Sequence, residues 1–149
     1  MKKQITQTVA IFLITSLLIS MTVTAFAVDT GEIDPDRSSA YISAVYADAS
    51  KGNSAGKLNV YFRITATGPM TSLGSTTIAV KDTGGNIVAL KSYTSTSGMM
   101  GYNKTIHYNT ISFTGLTSGA MYYAVVIFKA ANSSGSDATS YTTGYAIAG

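Results

Sequence analysis

The chain has 149 residues, with ten Lys and Arg against seven Asp and Glu, and no Cys. That length suits one ordinary domain and excludes a barrel enzyme or a two-domain dehydrogenase. The lack of Cys excludes a disulfide framework, a zinc ribbon and a thiol active site, so stability has to come from packing and hydrogen bonding.

The first predicted element is a leader over residues 1–27. Lys2 and Lys3 precede the apolar run Ile11–Ile19, and Ala25-Phe26-Ala27 supplies small residues around a bulkier one. This is the pattern of a secretory signal peptide cleaved after Ala27. A retained membrane helix is the other reading, and it fits less well because the apolar run is short and interrupted by Thr15. Two of the ten basic residues leave with the leader while all seven acids stay. The remainder is close to neutral, which leaves no electrostatic footprint for a phosphate backbone, so nucleic acid is not an expected partner. No apolar tail or sorting motif follows Ser140 to Gly149, so a secreted, extracellular product is expected, meeting the membrane only through its leader.

Residues 28–39 follow as an acidic arm without hydrophobic period. Asp29, Glu32, Asp34 and Asp36 offer oxygen donors, but the spacing lacks the central Gly and terminal Glu of a calcium loop, so a solvated segment is expected and no metal is assigned. Residues 40–149 are rich in Val, Ile, Thr and Tyr, with Gly, Ser and Asn grouped between apolar runs, which is the composition of an all-β domain.

Tyr41 to Ala47 is a weak first strand. Gly52-Asn53-Ser54-Ala55-Gly56 then matches the hydrolase pattern G-x-S-x-G, but a strand follows it where that motif needs a helix, so a plain loop is predicted. From Lys57 to Thr67, Leu58, Val60, Phe62 and Ile64 share one face and Asn59, Tyr61, Arg63 and Thr65 the other, which is a half-buried strand. Thr76, Ile78 and Val80 repeat the alternation, and the turn Asp82–Asn86 leads into Ile87 to Leu90 as a hairpin. Thr94 to Lys104 reads as the longest irregular connection. His107 to Phe113, Met121 to Ala131 and Ala138 to Ala148 complete seven strands, favouring an antiparallel β-sandwich.

Few groups suit catalysis. His107 stands alone and reads as a surface strand residue, unable to build a transition-metal site by itself. Asp48, Asp82 and Asp137 are placed at loops or turns, and paired acids on rigid elements are what glycoside hydrolysis requires. A non-enzyme without cofactor is therefore expected. The contact candidates are Tyr61 and Tyr123, whose rings lie opposite the predicted core face, and the loop residues Met99, Met100 and Tyr102. Each has a plainer reading: cross-strand Tyr–Thr pairing for the tyrosines, and a cap over the open core for the methionines.

The run Ile111-Ser112-Phe113-Thr114-Gly115-Leu116-Thr117-Ser118-Gly119-Ala120-Met121-Tyr122 resembles the corner between strands E and F of fibronectin type III domains, where Leu is followed by Gly and then Tyr. The alternation of Ala124, Val126, Phe128 and Ala130 before Ser134-Gly135-Ser136 is similar to that family's next strand and turn. The resemblance implies a fibronectin type III or immunoglobulin-like sandwich, with structural roles for Leu116, Gly119 and Tyr122, whose hydroxyl would bond back to main chain near Leu116. No Trp is present for the usual core position, which Phe62 would fill, and Ser118 stands where Pro is common.

Over nearly the whole chain after the leader, Gly68-Pro69-Met70-Thr71-Ser72-Leu73-Gly74, Ser97-Gly98-Met99-Met100-Gly101-Tyr102-Asn103 and Tyr122-Tyr123-Ala124-Val125-Val126 resemble a family of short secreted proteins of Gram-positive bacteria with no assigned function. The expected role is a secreted, non-catalytic module contacting a cell-wall polysaccharide or an extracellular protein. A structural sandwich that self-associates through its edge strands is the alternative.

Overall fold

The computed structural model describes residues 39–149. The leader and residues 28–38 of the arm lie outside the described residues. Alternating apolar and polar side chains dictate a layered arrangement, since a strand with one apolar face has to bury it against a second layer. Strands β1 (Ile42–Lys51), β2 (Leu58–Met70) and β6 (Lys104–Phe113) form one sheet in the order β1-β2-β6. The second sheet runs β4 (Ile87–Ser92), β3 (Ser72–Asp82), β7 (Met121–Asn132), β8 (Gly135–Thr142). Two short pieces complete it: β5 (Met100–Gly101) pairs with β3, and β9 (Ala146–Ile147) pairs with β7. Every pairing is antiparallel. Among the described residues there is no helix, and so none long and apolar enough to cross a membrane.

The inner faces share one core. Leu58, Val60, Phe62 and Ile64 of β2 and Val126 and Phe128 of β7 are fully buried, with the Phe62 and Phe128 rings edge to face at 6.2 Å. Alternation thus turns the Phe62 side of β2 inward and leaves Asn59, Tyr61, Arg63 and Thr65 on the outer face. The predicted hairpin is β3–β4, and its turn is held by the Asp82 carboxylate, which accepts from the Gly84 and Asn86 backbone N–H groups, both at 2.9 Å. The Asn86 side-chain amide also donates to that carboxylate, and this bond leads the effects that hold the Asp82 pKa below the ordinary aspartate value.

Several expectations need correction. The strands number nine among the described residues, because the run expected from Ala138 to Ala148 breaks between β8 and β9 and the connection expected from Thr94 to Lys104 contains β5. At the break the Thr143 hydroxyl replaces a backbone carbonyl as acceptor for the Ala124 N–H, at 2.9 Å. Asp48 lies on β1 and Asp137 on β8 rather than in loops. Both sit in ladders: Asp48 faces Tyr61 and Asp137 faces Ala130. His107 is buried rather than at the surface. It shares the inward phase of Ile111 and Phe113, packs 5.7 Å from the Phe62 ring, and satisfies Nε2 on the Gly98 carbonyl at 3.0 Å.

The corner before β7 has a simple geometry. Gly119 takes φ +78°, a conformation that suits Gly, and its N–H donates to the Ala148 carbonyl at 3.0 Å. Leu116 packs half-buried on the core, and the buried Tyr122 places its hydroxyl where the Thr117 N–H donates to it at 3.1 Å. Removing that acceptor with Tyr122→Phe is expected to cost about 1 kcal/mol. A urea titration checks this, the midpoint falling at unchanged slope.

Candidate functional site

Register decides which outward side chains become neighbours. On the outer face of the three-stranded sheet, Tyr46 of β1 is opposite Arg63 of β2, and Arg63 is opposite Tyr108 of β6. The next row is Asp48, Tyr61, Thr110, and the row beyond is Ser50, Asn59, Ser112. Directly opposed residues bring their Cβ atoms to roughly 5 Å, so Tyr46 and Tyr108 flank Arg63 across about 10 Å of sheet. Tyr46 is 49% exposed and Tyr108 64%, while Tyr61 is half-buried.

The arrangement is partly fixed by its own contacts. The Tyr46 ring leans on Tyr61 at 6.3 Å and on Tyr141 of β8 at 5.9 Å, which limits its rotamers. In the third row the Ser112 hydroxyl donates to the Asn59 side-chain carbonyl at 2.7 Å. Arg63 is exposed, and the register sets it between Tyr46 and Tyr108. Chemically this is a shallow platform: ring faces for apolar C–H surfaces, a fork of N–H donors for a carboxylate or hydroxyls, and Asp48, Thr110 and Asn59 as further polar groups. Among the described residues no group of three or more His, Cys, Asp or Glu is placed to hold a metal ion.

The other contact candidates fall elsewhere. Tyr123 lies on the outer face of the second sheet, edge to face with Tyr145 at 5.3 Å, so it cannot act with Tyr61 on one small ligand. Met99 is fully buried and belongs to the core, which removes it from any contact surface. Met100 is half-buried on β5, opposite Gly74. Tyr102 is 62% exposed beyond the start of β6, roughly 20 Å of extended chain from Tyr108. The candidates therefore separate into three regions: Tyr61 stands in the row beside Tyr46, Arg63 and Tyr108, whereas Tyr123 has Tyr145 and the opposed Lys81 as its outward neighbours.

Tyr46 and Tyr108 were not singled out by sequence reasoning. The two-residue period does put Tyr108 in phase with Thr110 and Ser112 and out of phase with Ile111 and Phe113, which is enough to turn it outward. That it stands beside Arg63 depends on pairing between β2 and β6, which the pattern of a single strand does not carry.

The Gly52–Gly56 loop joins β1 to β2 as a backbone turn, with the Gly52 N–H donating to the Lys57 carbonyl at 2.9 Å and the Lys57 N–H to the Ser54 carbonyl at 3.1 Å. A shallow dish beside it is lined by Lys51, Asn53, Ser54, Ala55 and Gly149. It holds neither a carboxylate side chain nor a histidine.

Compared with family models, with curated proteins and with solved structures, the chain finds no match.

Proposed function

We propose that this chain is a secreted, non-catalytic binding module that holds a cell-surface glycan on the outer face of its three-stranded sheet. The observation that carries the reading is the row Tyr46–Arg63–Tyr108 with Tyr61 in the adjoining row. Aromatic faces stack on the C–H faces of sugar rings, and an Arg between them favours sugars bearing carboxylates. Secretion rests on the Lys2–Lys3 start, the apolar run and Ala25-Phe26-Ala27 of the leader.

The sandwich is read as fibronectin type III-like. In a constant-type immunoglobulin domain the fourth strand joins the sheet of the first, second and fifth strands. Here β4 stays beside β3, which supports the fibronectin type III reading of the Leu116, Gly119 and Tyr122 corner.

Retention on purified peptidoglycan and on acidic and neutral polysaccharides tests the function. Tyr108→Ala, Arg63→Ala and Tyr61→Ala are each expected to raise Kd about tenfold or more, as central contacts do. Tyr123→Ala, on the opposite sheet, is expected to leave Kd unchanged. The proposal fails if no glycan retains the protein, or if Tyr123→Ala weakens retention as much as Tyr108→Ala.

A further inference from the structure

An edge strand presents unpaired N–H and C=O groups that can template another strand. Among the described residues the longer edge strands of the two sheets are β1, β6, β4 and β8, with the two-residue pieces β5 and β9 also outermost. On β6, the Asn109 side-chain oxygen accepts the Thr110 N–H at 2.8 Å and Lys91 Nζ donates to the Ser112 carbonyl at 2.7 Å. The β1 and β8 edges lie along each other: the Tyr46 and Tyr141 rings meet, and the Ser39 hydroxyl and Tyr41 N–H, just ahead of β1, both donate to the Asp137 carboxylate of β8.

The β4 edge is different. Its sequence begins Ile87-Val88-Ala89-Leu90, with Ile87 49%, Val88 44% and Leu90 58% exposed. Natural edges are commonly protected by an outward lysine. The lysine of β4, Lys91, is instead drawn across its own molecule to Ser112, with Nζ 5.3 Å from the centre of the Phe113 ring. It protects β6 and leaves β4 uncharged. The Tyr93 N–H donates to the Thr76 carbonyl of β3 at 3.1 Å. The two-residue alternation of an antiparallel ladder therefore turns Ala89 and Lys91 toward β3, and Leu90 and Ser92 toward the open edge. The Ser92 carbonyl is taken by the Ser95 N–H and hydroxyl. At Val88 the pairing shifts register, which ends the regular edge on that side. Leu90 is left with both backbone groups facing out.

We propose that β4 is a homodimer seam, pairing antiparallel with β4 of a second copy about a two-fold axis at Leu90. Such a pair is self-complementary: each Leu90 N–H donates to the other Leu90 carbonyl, and each Ser92 N–H reaches toward the Val88 carbonyl opposite. No like charges meet across the seam, because each Lys91 is held on its own Ser112 and Phe113. The outward row Val125, Ala79, Leu90 then continues into Leu90, Ala79, Val125 of the second copy. A six-residue edge buries less than the ~1,600 Å² of a standard interface, so the association is weak and concentration-dependent. This goes beyond glycan binding and uses the opposite sheet.

Sedimentation velocity on the purified full chain, from about 1 μM to about 1 mM, tests it. The average mass is expected to rise toward two chains, and Leu90→Lys is expected to move the midpoint at least tenfold higher. The unmodified protein supplies a second reading: hydrogen exchange at the Leu90 amide slows as concentration rises. A mass that stays at one chain overturns the proposal, as does a dimer undisturbed by Leu90→Lys or a Leu90 amide whose exchange ignores concentration. The last result decides even if the variant does not fold. Tyr108→Ala is expected to lose glycan retention and keep the dimer, so the two proposals fail separately.

Discussion

Phe62→Ala is expected to lower the unfolding free energy by about 3–5 kcal/mol, the range for emptying a fully buried aromatic site. For a domain of this size that is a fall in Tm on the order of 15 °C. Phe62 is fully buried, edge to face with Phe128 of the opposite sheet and packed against His107. Its removal therefore takes contacts from both layers at once, and a pleated sheet held by its ladder cannot move inward to refill the space. Thermal and urea unfolding check it. A loss below about 1 kcal/mol would mean that the two sheets do not depend on this ring. Phe62→Leu, which keeps most of the volume, is expected to recover more than half of the loss. Tyr61 and Arg63 leave the other face of the same strand, so glycan retention by the Leu variant should match that of the unmodified protein.

The core of β2 was legible because burial there follows a local rule: Leu58, Val60, Phe62 and Ile64 alternate without interruption, and each is fully buried. The β3–β4 turn was legible for a similar reason, since Asp82 and Asn86 satisfy their own backbone within five residues. His107 was misread because its polarity suggests solvent, whereas its inward position depends on an acceptor, the Gly98 carbonyl, supplied by a loop folded back over it. Asp48 was misread because the inward residues on either side of it, Ala47 and Ala49, are small and mark the buried face only weakly. The break at Thr143 depends on a side chain replacing a carbonyl, which no hydrophobic period records.

The candidate site shows the same division. That Tyr61 points outward is a property of one strand, and the sequence carries it. That Tyr46, Arg63 and Tyr108 form a row is a property of three strands in register, fixed by the closure of two different ladders. Met99 marks the opposite case. A Gly- and Ser-rich setting suggested an exposed loop, and the methionine is fully buried because β5 docks on β3.

That docking depends on one missing side chain, and Gly74→Ala is expected to undo it. A Cβ at Gly74 would collide with the Met99 carbonyl oxygen and stand 2.8 Å from the Met100 Cα, both backbone atoms that cannot rotate away. The β5 segment would have to lift, breaking the 2.8 Å bond from the Ser75 N–H to the Met99 carbonyl and pulling Met99 from the core. The expected cost is about 2–4 kcal/mol, close to that of Met99→Ala, because exposing a buried methionine dominates both. If the two changes act through one event, the double variant is expected to cost clearly less than the sum of the singles. The Gly98 carbonyl, which accepts from His107 and Asn109, would move with the segment. Limited proteolysis should then cut between Thr94 and Asn103 in Gly74→Ala well before it cuts the unmodified protein. Full additivity, or a variant as stable and resistant as its parent, would show that Gly74 is not what lets Met99 reach the core.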